Sequence, residues 1–115
     1  MQSDCLFCKM VAKEIPTHIL YEDDDVLAFK DIDPKAPLHA LVIPKKHIAT
    51  LNDMDTQHDA LVGKLQRVAA TLAAEHHYDI SGFRTIMNCN KDAGQTVFHI
   101  HLHLLAGRAM QWPPG

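Results

Sequence analysis

The stretch TVFHIHLHLL, Thr96 to Leu105, sets His99, His101 and His103 at alternate positions with an apolar residue in each gap. Successive side chains of a β-strand point to opposite faces. In an extended chain the three imidazoles therefore share one face, and Phe98, Ile100, Leu102 and Leu104 share the other. On a helix, at about 100° per residue, His101 would point away from the other two. The spacing predicts a strand whose apolar side meets a core and whose imidazoles line an accessible surface. Same-face neighbours lie roughly 6.5–7 Å apart along a strand, so one phosphate-sized group can span adjacent rings. Imidazole titrates near neutral pH, and its neighbours decide whether it acts as nucleophile, donor or general acid. Spacing alone leaves two other readings open: a polar strand face that happens to use histidine, and chelation of zinc by His-x-His.

Working back from this stretch, the polar loop CNKDAGQ separates it from GFRTIMN, so VFHIHLHLLA and GFRTIMN read as a fifth and a fourth strand. From Asp55 to about His77, Leu61, Leu65, Val68 and Leu72 step by four, three and four, the stripe of one long amphipathic helix. LHALVIP is rich in branched residues and stops at Pro44, which makes a third strand after the break DPKAP. HILYED and VLAFKD form a hairpin bent at the acidic run Glu22 to Asp25. SDCLFCKMVAKEI makes a short helix before Pro16, with Ser3 or Asp4 as its N-cap. Helix, three strands, helix, two strands is an α+β order, an antiparallel sheet with the helices to one side.

With 115 residues, 47% of them hydrophobic, the chain is sized for a single domain spanning 1–115. A net charge of -3 without a long basic block argues against nucleic acid as main partner. No apolar run approaches membrane-spanning length, and the start MQSDCLFCKM lacks the charged and apolar regions of a secretion signal, so the expected location is cytoplasmic, with no membrane partner. Cys5 and Cys8 are spaced C-x-x-C, which suits a redox couple, packed helix residues or half of a zinc site; Cys89 is read as buried packing. His18, His58, His76 and His77 are read as surface residues.

His99-Ile100-His101-Leu102-His103-Leu104-Leu105 resembles the signature of the histidine-triad superfamily, three alternating histidines with apolar partners. YEDDDVLAFKDIDPKAPLHALVIPKKHI is similar to that family's central segment. AGQTVFHIHLHLLAGRAMQWPPG is similar to the ending of its Hint branch, the purine nucleoside phosphoramidases. The resemblance implies a five-stranded antiparallel sheet with one long and one short helix, a homodimer, and a tail from about 107 to 115 reaching toward the partner subunit. It also implies a purine nucleotide substrate, hydrolysed without a catalytic cofactor through a nucleotidyl-histidine. In that mechanism His101 attacks the α-phosphorus of an adenylate and expels an amine, and water then releases AMP. Covalent catalysis of this kind divides one hard displacement into two easier ones.

By the same resemblance His103 donates to a phosphate oxygen or the leaving group, and His39 orients or polarises the nucleophile. Gly94, Gln95, Thr96 and Val97 form a phosphate-facing turn, with Asn88 as a further contact. Asp31 holds ribose hydroxyls, Phe7, Phe29, Ile32 and Leu41 form an apolar slot for the base, and Trp112 reaches the partner's site. Cys5, Cys8, His47 and His99 correspond to a structural zinc site that some bacterial-type relatives carry. Two departures stand out: Thr96 replaces a common serine and keeps the hydroxyl, and Asn90 in NCN takes a position more often held by glycine. Activity is expected to persist with altered efficiency, and acyl-adenylates are further plausible substrates. Three alternatives accompany this reading: a dinucleotide polyphosphate hydrolase of the same superfamily, a nucleotide-binding regulator, and a metalloenzyme using all three strand histidines.

Overall fold

The computed structural model describes residues 4–115. Its centre is a five-stranded antiparallel sheet: β1 (Ile19–Glu22), β2 (Val26–Lys30), β3 (Leu38–Pro44), β4 (Phe83–Ile86) and β5 (Leu102–Ala106), in spatial order β1-β2-β3-β5-β4. Every residue of β2 pairs with one of β3, Phe29 opposite Leu41, and Leu41 in turn lies opposite His103 of β5. Three helices accompany the sheet: α1 (Leu6–Val11), α2 (Asp59–Glu75) and a single turn, α3 (Asn90–Ala93). Among the described residues no helix is long and apolar enough to cross a membrane.

The sheet is apolar on both sides, and this settles where the helices go. Val26, Ala28, Leu38, Ala40, Val42, Leu102, Leu104 and Ala106 pack against the α2 stripe of Leu65, Val68, Ala69, Leu72 and Ala73. The alternate residues Leu27, Phe29, Leu41 and Ile43 form a second cluster with Cys5, Phe7 and Cys8 of the α1 region. The expectation of helices on one side therefore gives way to one helix on each face. The continuous apolar runs of β2 and β3 are the reason, since a strand buried on both faces needs cover on both. His39 and His103 share the α1 face by the same alternation.

Other boundaries differ from the sequence reading for local reasons. Helix α1 is capped by Cys5, whose Sγ accepts from the Cys8 N–H at 3.4 Å, rather than by Asp4; Ser3 lies outside the described residues. Helix α2 begins at Asp59, because Thr50 and Asp55 each start a 3-10 turn with a reciprocal capping box, Leu51–Asp53 and Thr56–His58. His58 belongs to the second box: the Asp55 N–H donates to its Nδ1 at 3.1 Å, and the side chain is buried instead of lying on the surface. The loop CNKDAGQ contains α3, closed by Gly94 at φ 85° and entered by Asn90 at φ 65°. Cys89 is half-buried.

Candidate active site

The largest departure concerns the histidine stretch itself. Strand β5 starts only at Leu102, so His99 and His101 precede it in irregular backbone and only His103 stands on the strand. The imidazoles do not form one accessible row: His99 is fully buried, His101 is 7% exposed and His103 is half-buried, while Phe98 turns outward at 50% exposure. The chain leaves the sheet because the Ile100 N–H donates to the carbonyl of Ile48 at 2.7 Å, a residue of the segment after β3 and not of a ladder strand. The result is two neighbouring groups of side chains, one at His99 and one at His101 and His103.

The bonds around each ring fix its tautomer, because a neutral imidazole has one donor and one acceptor nitrogen. The Nδ1–H of His101 donates to the carbonyl oxygen of His99 at 2.8 Å. That leaves Nε2 of His101 with its lone pair uncommitted. The Lys35 N–H donates to Nδ1 of His39 at 3.0 Å, so the proton of His39 resides on Nε2 and is donated to Nδ1 of His103 at 2.9 Å. His103 in turn carries its proton on Nε2. Asp31 approaches the shared nitrogen of His39, with Oδ2 at 3.4 Å. Burial holds His103 down to about 4, helped by the nearby rings of His101 and His39, and burial likewise lowers His39 against the opposing pull of Asp31. At neutral pH the pair is uncharged, as a chain of neutral donors requires.

His39 therefore hydrogen-bonds to His103, not to His101, the ring that the resemblance has it orient. The ladder explains the difference. His39 faces Leu105 and is the diagonal neighbour of His103, whereas His101 lies beyond the strand. The ring of His101 instead lies against those of His103 and Phe7, edge to face with each and with both centroids at 5.1 Å.

Among the expected nucleotide contacts, the structure gathers some and disperses others. Phe7 and Phe29 meet edge to face at 5.5 Å, with Leu41 opposite Phe29 and Val97 packed against the same cluster. Ile32 is 98% exposed and Trp112 83% exposed, so neither joins that cluster within one chain. Ile32 stands in the turn after β2, where Asp31 Oδ1 accepts from the Asp33 N–H at 2.8 Å and the intervening side chain is thrown outward. Asn88 is half-buried, and Thr96 is exposed. Gln95 is not a donor toward solvent: its Nε2 donates to the carbonyls of Ala49 and Val97, and its Oε1 accepts from the Asn90 N–H. Its buried amide thus ties the turn of Gly94 to the segment after β3. A Cβ on Gly94 would meet nothing, so its positive φ, not crowding, is what asks for glycine.

Beside the trio, Cys5, Cys8, His47 and His99 bring their ligand atoms within 4.8 Å of one another. Nδ1 of His99 lies 3.4 Å from Sγ of Cys5 and 3.6 Å from Sγ of Cys8, and Nδ1 of His47 lies 3.4 Å from Sγ of Cys8. A tetrahedral zinc with two thiolates and two imidazoles has sulfur–nitrogen edges of about 3.5 Å, so the four side chains fit that geometry. The Nε2–H of His99 donates to the Pro44 carbonyl at 2.7 Å, which leaves Nδ1 bare on the cluster side. Burial raises the Cys5 thiol and lowers His99 to about 4, so a neutral imidazole is secured while the thiolate needs a cation beside it.

Sequence reasoning passed over the backbone partners of these rings: the Lys35 N–H, the Pro44 carbonyl and the His99 carbonyl. No residue type signals them, because they depend on where the chain runs.

Comparison with known proteins places this arrangement in a family. The HIT domain model matches residues 12–110. An uncharacterized HIT-like protein of Synechococcus elongatus is 47% identical over 115 residues, the whole of both chains. The purine nucleoside phosphoramidase of Escherichia coli is 44% identical over 110 residues, covering 96% of this chain and 92% of that one. Among solved structures, a HIT family hydrolase from Legionella pneumophila superposes with a TM-score of 0.96 at 49% identity, covering 97% of this chain and 100% of that one. A histidine triad protein from Clostridium difficile gives 0.93 at 45% identity, with 96% of each chain covered. With agreement of this extent in both sequence and fold, the protein belongs to the HIT domain family.

Proposed function

We propose that this protein is a hydrolase of purine nucleoside phosphoramidates, cleaving the P–N bond of an adenylate linked to an amine. The observation that carries the reading is the bond from His101 Nδ1–H to the His99 carbonyl, which commits one nitrogen and leaves Nε2 as the one free to attack. The 44% identity to a purine nucleoside phosphoramidase supports the choice of substrate.

In the first step Nε2 of His101 forms a bond to the α-phosphorus as the P–N bond breaks, and the departing nitrogen, hydrogen-bonded to the Nε2–H of His103, takes its proton from a water molecule. His39 favours this contact, since its donation to Nδ1 of His103 supports the tautomer that holds the proton on the outer nitrogen. In the second step the hydroxide so formed attacks phosphorus, and AMP leaves with neutral His101 restored. Asp31 is assigned to the ribose hydroxyls, Gly94, Thr96 and Asn88 to the phosphate, and the Phe7, Phe29 and Leu41 cluster to the base.

The reading includes a structural zinc held by Cys5, Cys8, His47 and His99, whose chemistry when bound is to pair the two thiolates and anchor α1 to the sheet. It also includes a homodimer. Support comes from Trp112, a large apolar side chain left 83% exposed on the tail, and from β4, an outer strand with Phe83 39% exposed. Thiols that serve as ligands must stay reduced, which favours a cytoplasmic location.

The test is AMP release from an AMP–tryptamine phosphoramidate by the wild type and by His101→Ala. Release by the wild type alone is expected. A folded wild type that binds AMP but releases none from the phosphoramidate overturns the proposal.

A further inference from the structure

The protonation of His39 and His103 depends on a loop, and the loop is held from the far end of the chain. Residues 31–37 connect β2 to β3 and supply both Asp31 and the Lys35 N–H that donates to His39 Nδ1. Within the loop, the Asp33 N–H bonds Asp31 and the Lys35 ammonium bonds Asp33, both local and exposed contacts. The tie from outside comes from the residues just after β5. The Nε–H of Arg108 donates to the Lys35 carbonyl at 2.8 Å, and its Nη1 donates to the Ala109 carbonyl at 3.2 Å, which orients the guanidinium. Gly107 adds to the grip. Its backbone, at φ 98°, sits so close that a Cβ would lie 2.8 Å from Cβ of Pro37, the last residue of the loop.

We propose that Arg108 is a positioning residue for the histidine pair: by holding the Lys35 carbonyl it keeps the loop seated, so that the Lys35 N–H locks His39 in the tautomer that donates to His103. The tautomeric chemistry makes the consequence definite. If the Lys35 N–H withdraws, Nδ1 of His39 can hold the proton and Nε2 becomes an acceptor. At 2.9 Å from another nitrogen an acceptor demands a donor, so His103 must place its proton on Nδ1. Its Nε2 is then bare and cannot donate a hydrogen bond to a leaving group. Asp31, Asp33, Lys35 and Arg108 are the charged groups around His39, and the positive charge of Arg108 also opposes its protonation. The kinetic part of this inference rests on the proposed role of His103 as donor to the leaving group; the tautomeric part does not.

The experiment reads imidazole tautomers by ¹⁵N NMR in wild type, Arg108→Met and Arg108→Lys, with kcat and KM for the phosphoramidate measured alongside. His39 and His103 of the wild type are expected as single Nε2–H tautomers. Arg108→Met should show both rings as tautomer mixtures, with kcat about fivefold lower, the worth of one hydrogen bond. Arg108→Lys, which keeps a cationic donor, should restore the wild-type tautomer. If Arg108→Met does not fold, Arg108→Gln gives the same reading. Unchanged Nε2–H tautomers in a folded variant without the cation overturn the inference. Mixed tautomers in a protein inactive on phosphoramidates leave it standing and point instead to a wrong substrate.

Discussion

The carbonyl oxygen of His99 accepts the Nδ1–H of His101 at 2.8 Å, while the imidazole of the same His99 turns into the cysteine cluster, 3.4 Å from Sγ of Cys5. One residue thus serves both groups, its backbone orienting the ring of His101 and its side chain joining the cluster of Cys5, Cys8 and His47. The burial that makes His99 wholly inaccessible is what keeps its carbonyl fixed. On the proposed reading, catalytic geometry and the anchoring of α1 are two consequences of the same local packing.

Replacing His101 with Ala removes the nucleophile without disturbing the sheet, since the residue precedes β5. Turnover should fall by about 10³-fold or more. AMP affinity, measured by calorimetry, should change little. A variant retaining a tenth of the wild-type kcat would show that another group performs the attack.

His39→Phe deletes the donor to His103 but preserves bulk beneath the loop. Loss of one buried hydrogen bond to the ring that serves the leaving group should lower kcat about tenfold, with KM less affected. Kinetics on both parameters distinguish this from damage to the binding slot, which would raise KM first.

Burial keeps His103 at about 4 and lowers His39 below its ordinary value, whereas both take protons near 6.5 in the unfolded chain. Between these values the unfolded chain binds more protons, so stability falls as pH drops from about 6.5 toward 4 and recovers as pH rises. Denaturant midpoints at pH 7 and pH 5 measure this where carboxylates are still ionised. The midpoint at pH 5 should be lower, and an equal or higher one would contradict the buried, neutral pair.

One zinc per chain is expected by elemental analysis of reduced protein, and Cys8→Ser should lose most of it. A metal present at about 1,000 times its Kd adds about 4 kcal/mol to stability. Chelation should accordingly lower Tm in the wild type and leave Cys8→Ser nearly unaffected. Equal effects on both proteins would rule out these ligands.

Two glycines with positive φ separate backbone strain from crowding. Gly94→Ala meets open space and should cost about 1 kcal/mol from conformation alone. Gly107→Ala carries the same strain and also drives a methyl to 2.8 Å from Pro37, so its Tm should fall further.

Much of this was legible in the residues. The branched run ending at Pro44 located β3, and the apolar period of 3 to 4 located α2, which packs on one face of that strand. Spacing paired Cys5 with Cys8 and left their role open; His47 and His99 were named by the resemblance alone, and the structure brings the four together. What the residues concealed was the exit of His99 and His101 from strand geometry, which an Ile100 bond to Ile48 imposes from 52 positions away. Strict alternation from Phe98 to Leu104 looks like one strand, yet an apolar residue at 50% exposure, Phe98, shows that the pattern outran the ladder. Gln95 misled for a similar reason, since a polar side chain in a turn can bond inward to carbonyls that only the fold brings near. Ile32 and Trp112 have no cluster to join within one chain, and a single sequence does not say which side chains a second subunit would cover.

The most direct test of the account is a rapid-quench reaction of the wild type with an adenosine phosphoramidate, followed by digestion and mass mapping of the adenylylated peptide. The account predicts a transient adenylyl group on Nε2 of His101, absent in His101→Ala. Turnover with no adduct on His101 at any time, or an adduct on His99 or His103, would contradict it.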